Sequence, residues 1–154
     1  MTLRLLHTLA LFWLAGGLGA VAVPVWRAWR TADLPERTLL LSEAQRNETA
    51  WLLPGFIAVG VTGIAWAAGA DWNLVTTGWL LALEIVYMLD VFVALPLLGV
   101  GLRRVRYLAL QANKRGEITP ELAAALADNV PVVFATILVA TLPLMAWLAV
   151  FKPF

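Results

Sequence analysis

Four stretches of this chain, Leu3–Trp26, Trp51–Ala70, Leu74–Leu102 and Val130–Phe151, are each long and apolar enough to cross a lipid bilayer. Nothing else in the sequence narrows the fold as far. The expected architecture is all-α: an integral membrane bundle of four transmembrane helices forming a single domain over 1–154. Composition agrees, since 62% of residues are hydrophobic and 14% charged, against roughly half and a quarter in soluble domains. The chain has no cysteine, which excludes disulfides, thiolate catalysis and cysteine-ligated metals. Its single histidine, His7, excludes a site needing two imidazoles from one chain. A net charge of +1 gives no electrostatic reason to expect a nucleic-acid partner.

The charges fall unevenly. The connection between the first and second spans carries Arg27, Arg30, Arg37 and Arg46. The connection between the third and fourth carries Arg103, Arg104, Arg106, Lys114 and Arg115, while only Arg4 and Lys152 lie at the other ends of the spans. The positive-inside rule then predicts two cytoplasmic connections and both termini outside, periplasmic or extracellular. Trp26, Trp29 and Trp51 are expected at the inner interface and Trp72, Trp79 and Trp147 at the outer one, with Trp13 and Trp66 deeper. The N-terminal stretch also has the basic start, apolar centre and Ala20-Val21-Ala22 of a secretion signal. We read it as the first span.

Local signals fill in the connections. Thr119-Pro120-Glu121 reads as a helix start, with a capping hydroxyl, proline in the first turn and an acid at the positive end. Ser42 and Gln45 have capping-box spacing, so a short helical extension of the second span is expected from there. Gly116 is expected to end an extension of the third span. Ala15/Gly19, Gly16/Ala20, Gly63/Ala67 and Ala65/Gly69 have the small-xxx-small spacing of close helix contacts. Pro96 and Pro143 predict tilts or kinks. No internal repeat is evident.

The third span contains two carboxylates, Glu84 and Asp90. At 1.5 Å per residue from Val75 they lie about 13 Å and about 22 Å deep. Tyr87 is three residues from each and Thr77 one heptad before Glu84, so Thr77, Glu84, Tyr87 and Asp90 make a slanting polar ridge. An ionised carboxylate at such depth costs at least a few kcal/mol, so both acids are expected to face protein, water or a bound group. Glu84 is expected uncharged and tied to a neighbouring helix or ligand, as a proton-handling group or as interhelical glue. Asp90 is expected to be structural, within reach of Arg27 or Arg103. Arg103, Arg104 and Arg106 are expected to anchor the chain on inner-leaflet headgroups. No nucleophile elbow, phosphate loop or metal-spaced cluster is present, so the reading leans away from catalysis.

His7 lies about one turn inside the outer boundary. There it is either an interfacial ring bonded to the backbone or a ligand for haem or a metal. The stretch "LRLLHTLALFWLAGG", with His7 six residues before Trp13, resembles the opening span of the copper-resistance-D-like (CopD-like) superfamily. The C-terminal "LMAWLAVFKP" resembles the end of one branch, a bacterial family of about this length described as predicted integral membrane protein. More distantly the chain is similar to the J-type protoporphyrinogen oxidase. The resemblance implies a haem or metal at His7, with Trp13 beside it as a cofactor contact. It also implies lysine where this chain has Glu84, a reversal of charge. Copper(I) transport would want thiolate or thioether ligands, and the chain offers only three methionines.

These readings make the chain a small bacterial inner-membrane protein, embedded in membrane lipids beside other integral membrane subunits or copies of itself. The expected role is a non-catalytic accessory subunit, or a haem- or quinone-adjacent partner, of a larger membrane redox complex. The alternatives are a haem-binding redox protein using His7 and a small ion or metal transporter lined by Glu84 and Asp90.

Overall fold

The computed structural model describes residues 2–153 and is helical throughout its ordered elements. Seven α-helices, two pairs of them continuous through π-helical turns, make four helices long and apolar enough to cross a membrane: Thr2–Arg30, Leu34–Gly69, Gly78–Arg115 and Pro120–Phe151. In chain order they are α1 (Thr2–Arg30), α2 (Leu34–Asn47), α3 (Leu53–Gly69), α4 (Gly78–Leu89), α5 (Leu95–Arg115), α6 (Pro120–Ala127) and α7 (Val130–Phe151). The 38-residue helix Gly78–Arg115 would measure about 57 Å, well beyond a hydrocarbon core of about 30 Å. Its arginine-rich end therefore projects out of the bilayer together with α2. Both termini lie at the opposite end: Leu3 packs on Gly69, and the Lys152 ammonium sits 4.8 Å and 4.9 Å from the ring centroids of Trp72 and Trp79.

The start of the second long helix differs from expectation. It is capped by Asp33, whose carboxylate accepts from the Glu36 N–H at 2.9 Å, with Pro35 in the first turn. Ser42 lies inside the helix, donating to the Thr38 carbonyl at 2.8 Å. The helix thus begins nine residues before the Ser42 signal, because Asp33-Leu34-Pro35-Glu36 is the stronger start. Glu36 also accepts from the Thr31 hydroxyl at 2.6 Å; that bond, with help from Arg27, holds its carboxyl below the usual carboxylate range. The other starts and stops match the sequence. Thr119 accepts from the Leu122 N–H at the head of α6, and Gly116 (φ 74°) ends α5 in the left-handed conformation a glycine adopts freely.

Each of the two middle helices contains one wide, π-helical turn, Glu48–Leu52 and Asp90–Ala94. Each turn opens on a buried acid and closes just before Leu-Pro, at Leu53-Pro54 and Leu95-Pro96. The cause is common to both. A proline has no N–H and its ring collides with the carbonyl four residues back. Widening the preceding turn gives that ring room, and the Leu53 and Leu95 N–H groups bond five residues back, to Glu48 and Asp90. The kink expected at Pro96 takes this form. An acid six residues before Leu-Pro's proline is thus a short repeat that the sequence reading did not register.

The core runs along α1. Gly17 lies against the first wide turn, where an added Cβ would stand 3.0 Å from the Trp51 carbonyl carbon and 3.1 Å from the Leu52 nitrogen. Gly55 makes the reciprocal approach to the backbone of Leu14. These two glycines, rather than Gly16 or Gly19, set the closest helix contact; added carbons at Gly16 and Gly19 would meet nothing within 4 Å. Gly63 does serve as a contact, seating the His7 ring. Side chains of α1, α2, α5 and α7, among them Leu14, Leu41, Leu98, Leu102 and Leu138, fill the interior. Beyond the membrane-spanning part, α2 and α5 are joined by polar contacts in register: Thr38 to the Ala109 carbonyl, Arg106 to Ser42, and Arg103 to Glu48.

Candidate functional site

Asp90 is the most deeply buried acid, with 2% of its surface exposed. It stands at the head of the wide turn between α4 and α5 and faces α7. The space between these helices is a groove of about 310 Å³, walled by apolar side chains including Val86, Leu89, Phe134 and Leu144. Asp90 and Thr141 border it without presenting polar surface to it. Thr141 faces Asp90 within hydrogen-bonding reach of its carboxyl, and its hydroxyl also reaches the Leu138 carbonyl at 3.1 Å. The Asp90 Oδ2 atom is buried without a hydrogen-bond partner. A carboxyl oxygen left unbonded among apolar walls costs free energy, and helices under no other constraint bury polar groups paired. Wide helical turns occur often at functional sites.

Neither Arg27 nor Arg103 reaches Asp90. Arg27 pairs with Glu36 at 3.2 Å, and Arg103 approaches Glu48 at 3.9 Å. Glu48 was the acid missed from sequence. It is 4% exposed, accepts from the Thr49 hydroxyl at 3.2 Å and lies over Gly99, where a side chain would collide with its Oε1. Its signal was the Glu48–Pro54 spacing, the same as Asp90–Pro96. Arg104 approaches Asp128 at 3.5 Å and Arg106 donates to Ser42 at 3.2 Å, so all three arginines expected as lipid anchors have partners within the chain. Arg103 and Arg104 remain mostly exposed.

The ridge on the third span does not act as one unit. Tyr87 turns toward α3 and donates to the Phe56 carbonyl at 2.7 Å, in a niche that Gly60 leaves open. Asp90 turns toward α7. Glu84 is part-exposed and has no hydrogen bond or ion pair among the described residues, so the expected tie to a neighbouring helix is not made there. Thr77 caps α4 through its backbone, its carbonyl accepting from Leu80 and Leu81, while its side chain makes no capping bond. A Tyr87→Phe change removes one bond from hydroxyl to carbonyl and should cost about 1 kcal/mol in an unfolding titration with denaturing detergent. Restoring wild-type stability in that variant by a second change, Gly60→Ala, would identify the niche as the cause.

His7 and Trp13 are also separated. The Thr62 hydroxyl gives its proton to the Ala58 carbonyl at 2.6 Å, so the 3.0 Å contact with His7 must be donated by Nδ1. The ring rests 5.6 Å from that of Trp66, which continues through Trp72 to Trp79 at centroid spacings of 5.4 Å. Trp66, expected deeper, therefore belongs to the aromatic cluster at the end that carries the termini. Trp13 instead meets Trp51 edge-on at 6.3 Å, on the wall of a second groove of about 400 Å³ that also touches Gly16, Ala20 and Asn47. Neither groove includes His7 in its wall. Thr62 holds the Nδ1 side of the His7 ring, Gly63 lies beside its Cε1 and Trp66 is tilted against it at 5.6 Å. Among the described residues there is also no group of three or more histidines and acids able to hold a metal ion.

A family model described as "Predicted integral membrane protein (DUF2269)" matches residues 1–153. It supports the membrane family expected from the C-terminal Val150-Phe151-Lys152-Pro153 and does not extend to the CopD-like proteins or the J-type oxidase. No curated protein and no solved structure matches the chain.

Proposed function

The chain belongs to the DUF2269 family of predicted integral membrane proteins, and from that premise we propose that it is a non-catalytic accessory subunit of a larger redox complex in the bacterial inner membrane. In this reading its arginine-rich end faces the cytoplasm and both termini face outside. The observation that carries the proposal is Asp90, an acid of the third span with 2% of its surface exposed and its Oδ2 unbonded, beside an apolar groove that opens sideways between α4 and α7. An intramembrane acid with one oxygen unbonded among the described residues favours a group supplied from outside the chain. Other polar groups find partners within the chain: the Tyr87 hydroxyl at the Phe56 carbonyl, the His7 Nδ1 at Thr62, Trp26 at Thr136 and Trp29 at the Leu126 carbonyl.

Isolation of the tagged protein from its native membrane in a mild detergent tests this. The expected result is a fixed stoichiometry with other integral membrane subunits, reduced at least several-fold by Asp90→Asn, and no chromophore of its own. A Soret band in the isolated chain that disappears in His7→Ala would overturn the reading in favour of a haem protein. A protein that elutes alone from every mild extraction would overturn it in favour of an independent function.

A further inference from the structure

We propose that Glu84 marks a second contact surface, on the flank of α4 beside α3, and that its partner is a transmembrane helix of a different protein carrying a basic side chain at that depth. This rests on the reading of the chain as a subunit and names the chemistry of what it meets. Unlike Asp90, Glu84 is part-exposed, and it has no hydrogen bond or ion pair among the described residues. Its neighbours one turn away along α4, Leu81 and Met88, are exposed, as are Ile57 and Ile64 one turn either side of Gly60 on α3. Residues six apart on a helix are rotated by about 120°, with the residue midway at about 60° from each. Tyr87 holds that middle position and turns to the Phe56 carbonyl of α3. Asp90 therefore falls on the flank against α7 and Glu84 on the opposite flank, so the two acids address different neighbours.

Charge complementarity selects the occupant. A lone carboxylate in hydrocarbon is costly, and so is a lone ammonium or guanidinium; placed together they carry no net charge, and the basic group donates to the acid. Lipid head groups are remote, since Glu84 lies about 13 Å from the outer boundary. A second copy is poorly equipped. Its basic side chains at this end of the bundle are Arg4 and Lys152, at the ends of their spans, and Lys152 is already seated over Trp72 and Trp79. Its one imidazole, His7, is turned to Thr62 and Trp66.

The experiment compares the full chain in its native membrane with the chain alone in nanodiscs of phosphatidylethanolamine and phosphatidylglycerol. The probe is dicyclohexylcarbodiimide, which adds to protonated carboxyls reachable from lipid. Without a partner the neutral form of Glu84 is the less costly one, whereas a paired Glu84 is ionised and shielded. Peptide mass should show Glu84 labelled in nanodiscs and labelled at least tenfold more slowly in the native membrane. Glu84→Gln should remove the adduct and lower the recovery of co-purifying subunits at least several-fold. Glu84→Lys should lower it further, by placing like charges together. At least one recovered subunit should carry lysine, arginine or histidine inside a transmembrane segment. Helicity and elution profile serve as controls that each variant is folded. Equal labelling in the two settings, or a folded chain unlabelled at Glu84 in nanodiscs, overturns the proposal. A homodimer that shields Glu84 and is lost in Arg4→Gln overturns it in favour of a second copy. Subunits retained by Glu84→Gln but lost in Asp90→Asn would end this proposal and leave the accessory-subunit reading standing. Protection of Glu84 in the native membrane, in a chain that elutes alone from every mild extraction, would do the reverse.

Discussion

Replacing Gly17 with valine is expected to separate α1 from the middle of the second long helix and leave little folded protein. The first carbon of any side chain there would already stand 3.0 to 3.1 Å from three backbone atoms of Trp51 and Leu52. Backbone in a wide turn fixed by Pro54 cannot swing aside as a flexible side chain can. Overpacking a well-fitted contact typically costs 1 to 3 kcal/mol, and a β-branched residue pressed on two helices at once should reach the top of that range, about 3 kcal/mol, or exceed it. Alanine should cost less, about 1 to 2 kcal/mol on the same scale. Gly16→Ala, one residue away, should be neutral to slightly stabilising, because its added carbon meets nothing within 4 Å and alanine favours the helix. Unfolding in a titration with denaturing detergent measures all three. Equal destabilisation by alanine at positions 16 and 17 would mean that the close approach at Gly17 does not set the cost.

Arg37→Met should cause the next largest loss. Arg37 is buried at the corner where α1 turns into α2, and its Nε donates to the Ala28 carbonyl at 2.9 Å while another guanidinium nitrogen donates to the carbonyl of Thr31. The last carbonyls of a helix have no partners within it. Here a side chain from the next helix supplies them, and hydrogen bonds from a charged donor contribute about 1.5 to 3 kcal/mol each. Methionine fills the same channel with no donor, so a net loss of about 3 kcal/mol is expected. Lysine should recover only part, since one ammonium cannot reproduce the spread of the guanidinium fork. Thermal unfolding in nanodiscs, monitored by helicity, separates the three proteins. A methionine variant as stable as wild type would show that water satisfies those carbonyls instead.

Much of this architecture was legible in the sequence. Hydrophobic length alone located four spans, because in a bilayer length and apolarity leave one local structure. Thr119-Pro120 and Gly116 marked ends correctly because capping depends on two or three adjacent residues. The errors share a different origin. Ser42 matched a spacing, but Asp33 and Pro35 nine residues upstream made the stronger start, and the chain followed them. Gly16 and Gly19 matched a motif that says nothing of which way a helix is turned; the face that meets the Glu48–Leu52 turn carries Gly17. Arg103 was near enough in sequence to serve Asp90, yet the acid it approaches comes from another helix. The polar ridge failed because residues three apart on a helix are rotated by about 60°, enough for Tyr87 and Asp90 to address different neighbours. The quantity missing from sequence in each case is rotation about the helix axis.

The two wide turns bear on how this bundle can move. Glu48 lies opposite Gly99, nine residues along the same helix from Asp90, so the turns are offset by about 13 Å along the bundle axis. Two joints at different heights in antiparallel rods form a crank. The arginine-bearing halves, cross-linked by Thr38, Ser42 and Glu48, can shift as one piece while the halves nearer the termini stay fastened by Tyr87.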